Sequence, residues 1–134
     1  MPPSTRFRTR VPIRFSDLDA YGHVNNAVFF TYLEVARVQL FSGNFTGTFE
    51  GDAVFLVRSA SCTYLRPIPF QPEVVVDVAI ARLRGGSVDL TYELGDGESL
   101  VYATAATTLV SIDPSTGRPV RLPQWIRELD TAQE

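Results

Sequence analysis

The alternation of apolar and polar positions divides the chain into a strand, a long helix and four further strands. Phe7, Val11, Ile13 and Phe15 recur at even spacing over residues 7–15, interrupted at Thr9, which predicts a half-buried first strand. Pro12 cannot donate a ladder hydrogen bond, so this strand belongs at a sheet edge or carries a bulge. Residues 16–23 break the alternation and are rich in turn formers. Residues 26–42 contain neither Gly nor Pro and predict a helix, with Asn25 or Asn26 as N-cap and Gly43 past its end. Its polar residues Thr31, Glu34 and Arg37 form a narrow stripe, with apolar residues around most of the remaining circumference. Such a helix is expected to be almost wholly enclosed, and Glu34 and Arg37 can pair along the stripe.

After a Gly-, Thr- and Asn-rich connection, residues 53–65 alternate without Gly or Pro until Arg66-Pro67-Ile68-Pro69 ends them, which predicts a second strand. Residues 73–83 are rich in β-branched side chains, Gly85-Gly86 supplies a turn, and Val88, Leu90, Tyr92 and Leu94 follow at period 2, so these two strands form a hairpin. Gly95-Asp96-Gly97 turns the chain into a fifth strand over residues 100–112. Pro123, at a helix N1 position, opens a short helix running through Trp125 to Leu129. This order predicts an α+β fold in which a five-stranded antiparallel sheet curls around one long central helix. With no repeat or linker, residues 1–134 read as a single domain. The Thr- and Val-rich sheet edges are safer paired between two copies of the chain.

Composition narrows the possible functions. The 134 residues carry 12 Lys+Arg against 15 Asp+Glu, a net charge of −3, so no global positive field recruits nucleic acid or anionic lipid. The N-terminal residues have no apolar core, and no stretch is long and apolar enough to span a bilayer, so neither export nor membrane insertion is expected. The single Cys62 cannot form an internal disulfide, which suits a reducing, cytoplasmic setting. One His and one Cys cannot assemble a usual zinc site within one chain, and there is neither a Gly-x-Ser-x-Gly elbow nor a phosphate-binding glycine loop.

Chemistry concentrates in the loop before the helix, which holds Asp19, the sole histidine His23, and the tandem amides Asn25 and Asn26. A helix start presents unpaired N–H groups and the positive end of the macrodipole, where a developing oxyanion is stabilised. A carboxylate beside it can attack an activated carbonyl or deprotonate water. The plain alternative is that Asp19 caps a turn, His23 makes a structural hydrogen bond, and the asparagines cap the helix.

The stretch FSDLDAYGHVNNAVFFTYLEVAR, residues 15–37, resembles the signature of the 4-hydroxybenzoyl-CoA thioesterase family, hot-dog-fold enzymes that hydrolyse acyl thioesters. The TYLRPIPF segment and the RGGS hairpin resemble that family too, and the Asp-Leu-Asp and His-Val-Asn-Asn core also resembles plant acyl-carrier-protein thioesterases, although Tyr21 stands where those enzymes have asparagine. The resemblance implies that Asp19 is the catalytic acid and Asp17 structural. It also implies that the backbone N–H of Asn26 holds the thioester carbonyl and that His23 orients a group or positions water, with Asn25 in substrate binding. Arg84 and Ser87, beside the Gly85-Gly86 turn, become candidates for the phosphates of CoA, which an arginine fork suits; Arg58 and Arg66 are secondary.

The implied activity is acyl-CoA hydrolysis to a carboxylic acid and CoA, needing no metal or other cofactor, by a homodimer or homotetramer. Alternatives are hydrolysis of acyl-carrier-protein thioesters and a non-catalytic acyl-thioester-binding protein. A hydratase is disfavoured because the Asp-x-Asn-Pro-x-His pattern is missing. Phe29, Phe30, Phe41, Phe45 and Phe49 suit either an acyl tunnel or the core.

Overall fold

The computed structural model describes residues 7–42 and 54–132. Gly43, the phenylalanines Phe45 and Phe49, and the expected strand start at Ala53 lie outside them. The elements are β1 (Phe7–Pro12), α1 (Val28–Ser42), β2 (Val54–Tyr64), β3 (Glu73–Leu83), β4 (Ser87–Gly95), β5 (Val101–Ile112) and α2 (Gln124–Ala132). The five strands form one sheet in the order β1-β3-β4-β5-β2, and every neighbouring pair is antiparallel. This is the α+β arrangement expected from the sequence. No helix among the described residues is long and apolar enough to cross a membrane.

β1 is an edge strand that ends at Pro12, so the residue that cannot donate to a ladder closes the strand. The expected continuation to Phe15 is replaced by a short 3-10 turn over Phe15–Asp17. Asp17 is the cause, because its carboxylate accepts the Arg14 N–H at 2.9 Å and turns the chain out of the sheet.

α1 lies on one face of the sheet through Phe29, Tyr32, Leu33, Ala36 and Leu40, all buried and spaced one helical turn apart. They pack on Val74, Val76 and Val78 of β3 and on Val88, Leu90 and Leu94 of β4, the alternate residues facing the helix. Fully burying side chains such as Phe29 or Leu33 contributes about 1.5–3 kcal/mol each. At the far end of α1, Phe41, Phe55 and Trp125 close the core, with ring centroids 5.3–6.0 Å apart.

The helix is not almost wholly enclosed within the chain. Phe30 and Val38 remain 38% and 54% exposed, since a single five-stranded sheet covers only one side of it. The polar stripe divides as well: Thr31 and Glu34 face outward, whereas Arg37 is mostly buried, hydrogen-bonded to the Tyr92 hydroxyl and 3.9 Å from Glu34. Tyr92 and Thr107 share a 2.6 Å hydrogen bond, so this guanidinium reaches a satisfied polar pair inside the core. The opposite face of the sheet carries Arg8, which binds Asp77 through two bonds of 2.8 and 3.0 Å.

Leu33→Ala is expected to destabilise the protein by about 2–5 kcal/mol, because the side chain has no exposed surface and its loss leaves a cavity. Urea unfolding measures this, and a loss below about 1 kcal/mol would contradict the packing of α1 on the sheet.

Candidate active site

The loop between β1 and α1 is organised by two aspartates with opposite environments. Asp17 is 1% exposed. Its Oδ2 accepts the Arg14 N–H and the Tyr32 hydroxyl at 2.9 and 2.8 Å, and its Oδ1 accepts Arg14 Nε and Nη2 at 3.1 and 2.9 Å. Burial alone would push this carboxyl up. The hydrogen bonds from the Arg14 backbone, Tyr32 and the Arg14 guanidinium outweigh that cost and hold it below the usual carboxylate range. The same contact pushes the Tyr32 phenol up, through burial first and then the Asp17 carboxylate. The Asp17 carbonyl in turn accepts the Asn25 N–H at 2.9 Å, fixing the chain just before the helix.

Asp19, two residues on, is exposed. Its Oδ1 accepts the N–H groups of Tyr21 and His23 at 2.9 and 3.3 Å, and its backbone N–H binds the His23 carbonyl at 2.8 Å. Gly22, at φ 81°, closes this turn in a conformation that side chains disfavour. Asp19 therefore caps a turn, as the plain reading expects, yet its Oδ2 takes no hydrogen bond among the described residues. A turn that consumes one carboxylate oxygen fixes the direction of the other. The imidazole of His23 likewise has no hydrogen-bond partner among the described residues, and the His23 backbone is bridged to Pro69.

At the helix start, Asn25 rather than Asn26 supplies the cap, its Oδ1 accepting the Ala27 N–H at 2.9 Å. The carbonyls of Asn25, Asn26 and Ala27 accept the N–H groups of Val28, Phe29 and Phe30 at 2.9, 3.3 and 3.3 Å, so the helix begins in a tight turn. The Asn26 N–H makes no hydrogen bond among the described residues. A cavity of about 300 Å³ opens beside it, lined by Asn26, Phe29, Tyr64, Leu65, Arg66 and Pro67. A second concavity, of about 380 Å³, lies across the sheet from the helix, between Asp77, Thr91, Glu93 and Thr104, away from this loop.

Two side chains of the loop region have no role in the sequence reading. Tyr32 anchors Asp17 from within α1. Tyr64, at the end of β2, donates its hydroxyl to the Asn26 carbonyl at 2.8 Å and sets its ring edge-on to Phe29, centroids 4.9 Å apart. Alternation along β2 places Tyr64 on the helix-facing side of the sheet, but no local signal joins it to a residue 38 positions away.

The candidate phosphate site lies elsewhere. Arg84 Nη1 and Nη2 bind Asp89 at 2.9 and 2.8 Å, and Ser87 Oγ stands 3.4 Å from Nη1. Asp89 holds the Arg84 guanidinium up through its hydrogen bond, and the guanidinium in turn holds the Asp89 carboxyl down. β3 runs between the two sites: Asp19 lies near its Glu73 end and Arg84 follows its Leu83 end, and 11 residues of strand span roughly 35 Å. One chain therefore brings Asp19, His23, Asn25 and Asn26 together and leaves Arg84 and Ser87 apart.

A five-stranded antiparallel sheet packed on one long helix is the hot-dog fold. A family model described as the thioesterase-like superfamily matches residues 13–129, and the chain belongs to that family. It is 30% identical over 124 residues to the long-chain acyl-CoA thioesterase FadM of Escherichia coli strain K12, an alignment covering 90% of this chain and 94% of the relative. It is 25% identical over 126 residues to the acyl-CoA thioester hydrolase YbgC of Escherichia coli O6:H1, covering 92% of this chain and 94% of that one. Among solved structures, a thioesterase from Thermus thermophilus complexed with coenzyme A and Zn superimposes with a TM-score of 0.79 at 40% identity, covering 95% of this chain and 92% of the other.

The depressed Asp17 carboxyl carries a pH signature. The folded group binds its proton less tightly than the unfolded one, so its stabilisation is complete above about pH 5 and is lost as pH falls below about 4. Asp17→Asn is expected to cost about 1–3 kcal/mol at neutral pH. Urea unfolding at pH 7 and pH 3 should show that gap narrowing in acid, and a constant gap would contradict the assignment.

Proposed function

We propose that this protein is an acyl-CoA thioesterase, hydrolysing an acyl thioester to a carboxylic acid and CoA. The observation that carries this reading is the Asn26 N–H at the start of α1, free among the described residues, beside a cavity and on the same loop as an Asp19 Oδ2 that takes no hydrogen bond from them. Membership of the thioesterase-like superfamily supports it. The Asn26 N–H and the positive end of the helix stabilise the oxygen of the thioester carbonyl as it gains charge. Asp19 either attacks the carbonyl carbon, giving an anhydride that water opens, or takes a proton from the water that attacks. In both routes the C–S bond breaks and the sulfur leaves as thiol, with its proton from water. In the first, water opens the anhydride at the Asp19 carbonyl, so an Asp19 oxygen leaves in the acid and the oxygen of water restores the carboxylate; in the second, the oxygen of water enters the acid directly. The imidazole of His23 orients that water, and no resident metal or cofactor is invoked. Asn25 holds the turn through Ala27, and its contribution to substrate binding is through that turn.

Two copies complete the site. Among the described residues β2 pairs only with β5 and its other edge is open over 11 residues, with Leu56 and Val57 exposed along it. Antiparallel pairing of two β2 strands joins the sheets and brings cover to the exposed side of α1. A second copy also supplies an Arg84 and Ser87 that lie too far from Asp19 within one chain, and there the CoA phosphates compete with Asp89 for the arginine fork. Sedimentation equilibrium should give a mass of two chains or a multiple of two, and a monomer at micromolar concentration would overturn this assembly.

Thiol release from short-, medium-, long-chain and aromatic acyl-CoAs, and from the matching N-acetylcysteamine thioesters, tests the activity. Asp19→Ala is expected to lower kcat by at least about 100-fold with fold and assembly intact. A lower KM for the CoA esters would support recognition of the nucleotide phosphates. A single turnover in heavy-oxygen water separates the routes, since label enters Asp19 only when it attacks. Tight binding without turnover by the wild type would instead support a sensor.

A further inference from the structure

The Asn26 N–H can hold a carbonyl oxygen only if the first turn of α1 keeps its direction, and that turn is weakly self-supported. Two of its three closing hydrogen bonds are 3.3 Å long. On one side of Asn26, the Asn25 carbonyl is fixed by the Val28 N–H at 2.9 Å. On the other, the Asn26 carbonyl accepts the long bond from Phe29 and a much shorter one, 2.8 Å, from the Tyr64 hydroxyl. The shortest bond on this turn thus comes from the sheet.

Tyr64 is well placed to act as a clamp. Its ring is set edge-on against Phe29, which is 1% exposed, and the two residues after it are tied to the sheet, the N–H groups of Leu65 and Arg66 both binding the Tyr102 carbonyl at 2.9 and 3.1 Å. Burial, with smaller contributions from Cys62, pushes the phenol up from its ordinary value, so the hydroxyl keeps its proton and remains a donor.

We propose that Tyr64 is a positioning residue for the thioesterase reaction: its hydroxyl, donated to the Asn26 carbonyl, locks the first turn of α1 so that the Asn26 N–H stays aimed at the thioester carbonyl. This rests on the function proposed above. The residue acts through the backbone of Asn26 and not through the reacting atoms. It couples the edge strand β2 to the catalytic turn. Without the hydroxyl, the Asn26 carbonyl keeps only the 3.3 Å bond from Phe29, one side of the turn loosens, and the Asn26 N–H samples directions in which the charged intermediate is less well bound.

Tyr64→Phe removes the hydroxyl and keeps the ring against Phe29. In the thiol-release assay it is expected to lower kcat by about 10-fold or more while KM changes by less than about 3-fold, with the thermal midpoint and the oligomeric mass retained. Hydrogen–deuterium exchange at the Phe29 amide should accelerate in the variant. A merely structural tyrosine would lower the midpoint and spare kcat. Wild-type turnover with an unimpaired Tyr64→Phe overturns the positioning role alone. A wild type that turns over no thioester, under conditions in which it is folded, overturns the thioesterase reading and this role with it.

Discussion

The buried carboxylate of Asp17 holds together the parts from which the site is built. Taking a carboxylate out of water costs several kcal/mol, and here four hydrogen bonds from Arg14 and Tyr32 offset that cost. These bonds join the chain leaving β1 to the second turn of α1, while the Asp17 carbonyl holds the residue that caps the helix. The loop is therefore pinned at both ends. Asp19 follows two residues later and Asn26 one residue past the pinned cap, so both inherit their positions from Asp17.

The helix start shows how electrostatics and packing are shared between distant segments. The positive end of α1 is a property of its backbone, but whether a particular N–H is free depends on side chains that satisfy its neighbours. Asn25 occupies the Ala27 N–H, and the Asn26 N–H stays open. The core follows the same logic at Arg37, whose charge is tolerated between helix and sheet because Tyr92, itself bonded to Thr107, and Glu34 give it partners.

Much of the fold is legible in the sequence because its signals are local. The β3–β4 hairpin follows from period-2 alternation on both sides of Gly85-Gly86, and β3 spans the expected residues. Periodicity carries the first strand too far, since Ile13 and Phe15 preserve the alternation while Arg14 and Asp17 turn the chain through a side-chain contact that periodicity does not record. The burial of α1 is overestimated for a related reason: an apolar circumference states how much surface must be covered, without stating which chain covers it. Asp19, His23, Asn25 and Asn26 stand out as neighbours in sequence. Their inequality does not, because either asparagine fits the cap by sequence, and the contact of Asn26 with Tyr64 arises only after β2 folds back along α1.

The two borders of the sheet differ in a way that governs how far the protein can grow. β1 presents Arg8, Arg10 and the terminal Pro12, a strand of six residues whose charges and missing donor resist addition of another strand. β2 is nearly twice as long, with Arg58 its only charge. Joining two β2 strands leaves only the guarded β1 borders at either end of the enlarged sheet. Self-association along the sheet through β2 would thus terminate at a closed pair, and the same sequence asymmetry would protect against fibre formation.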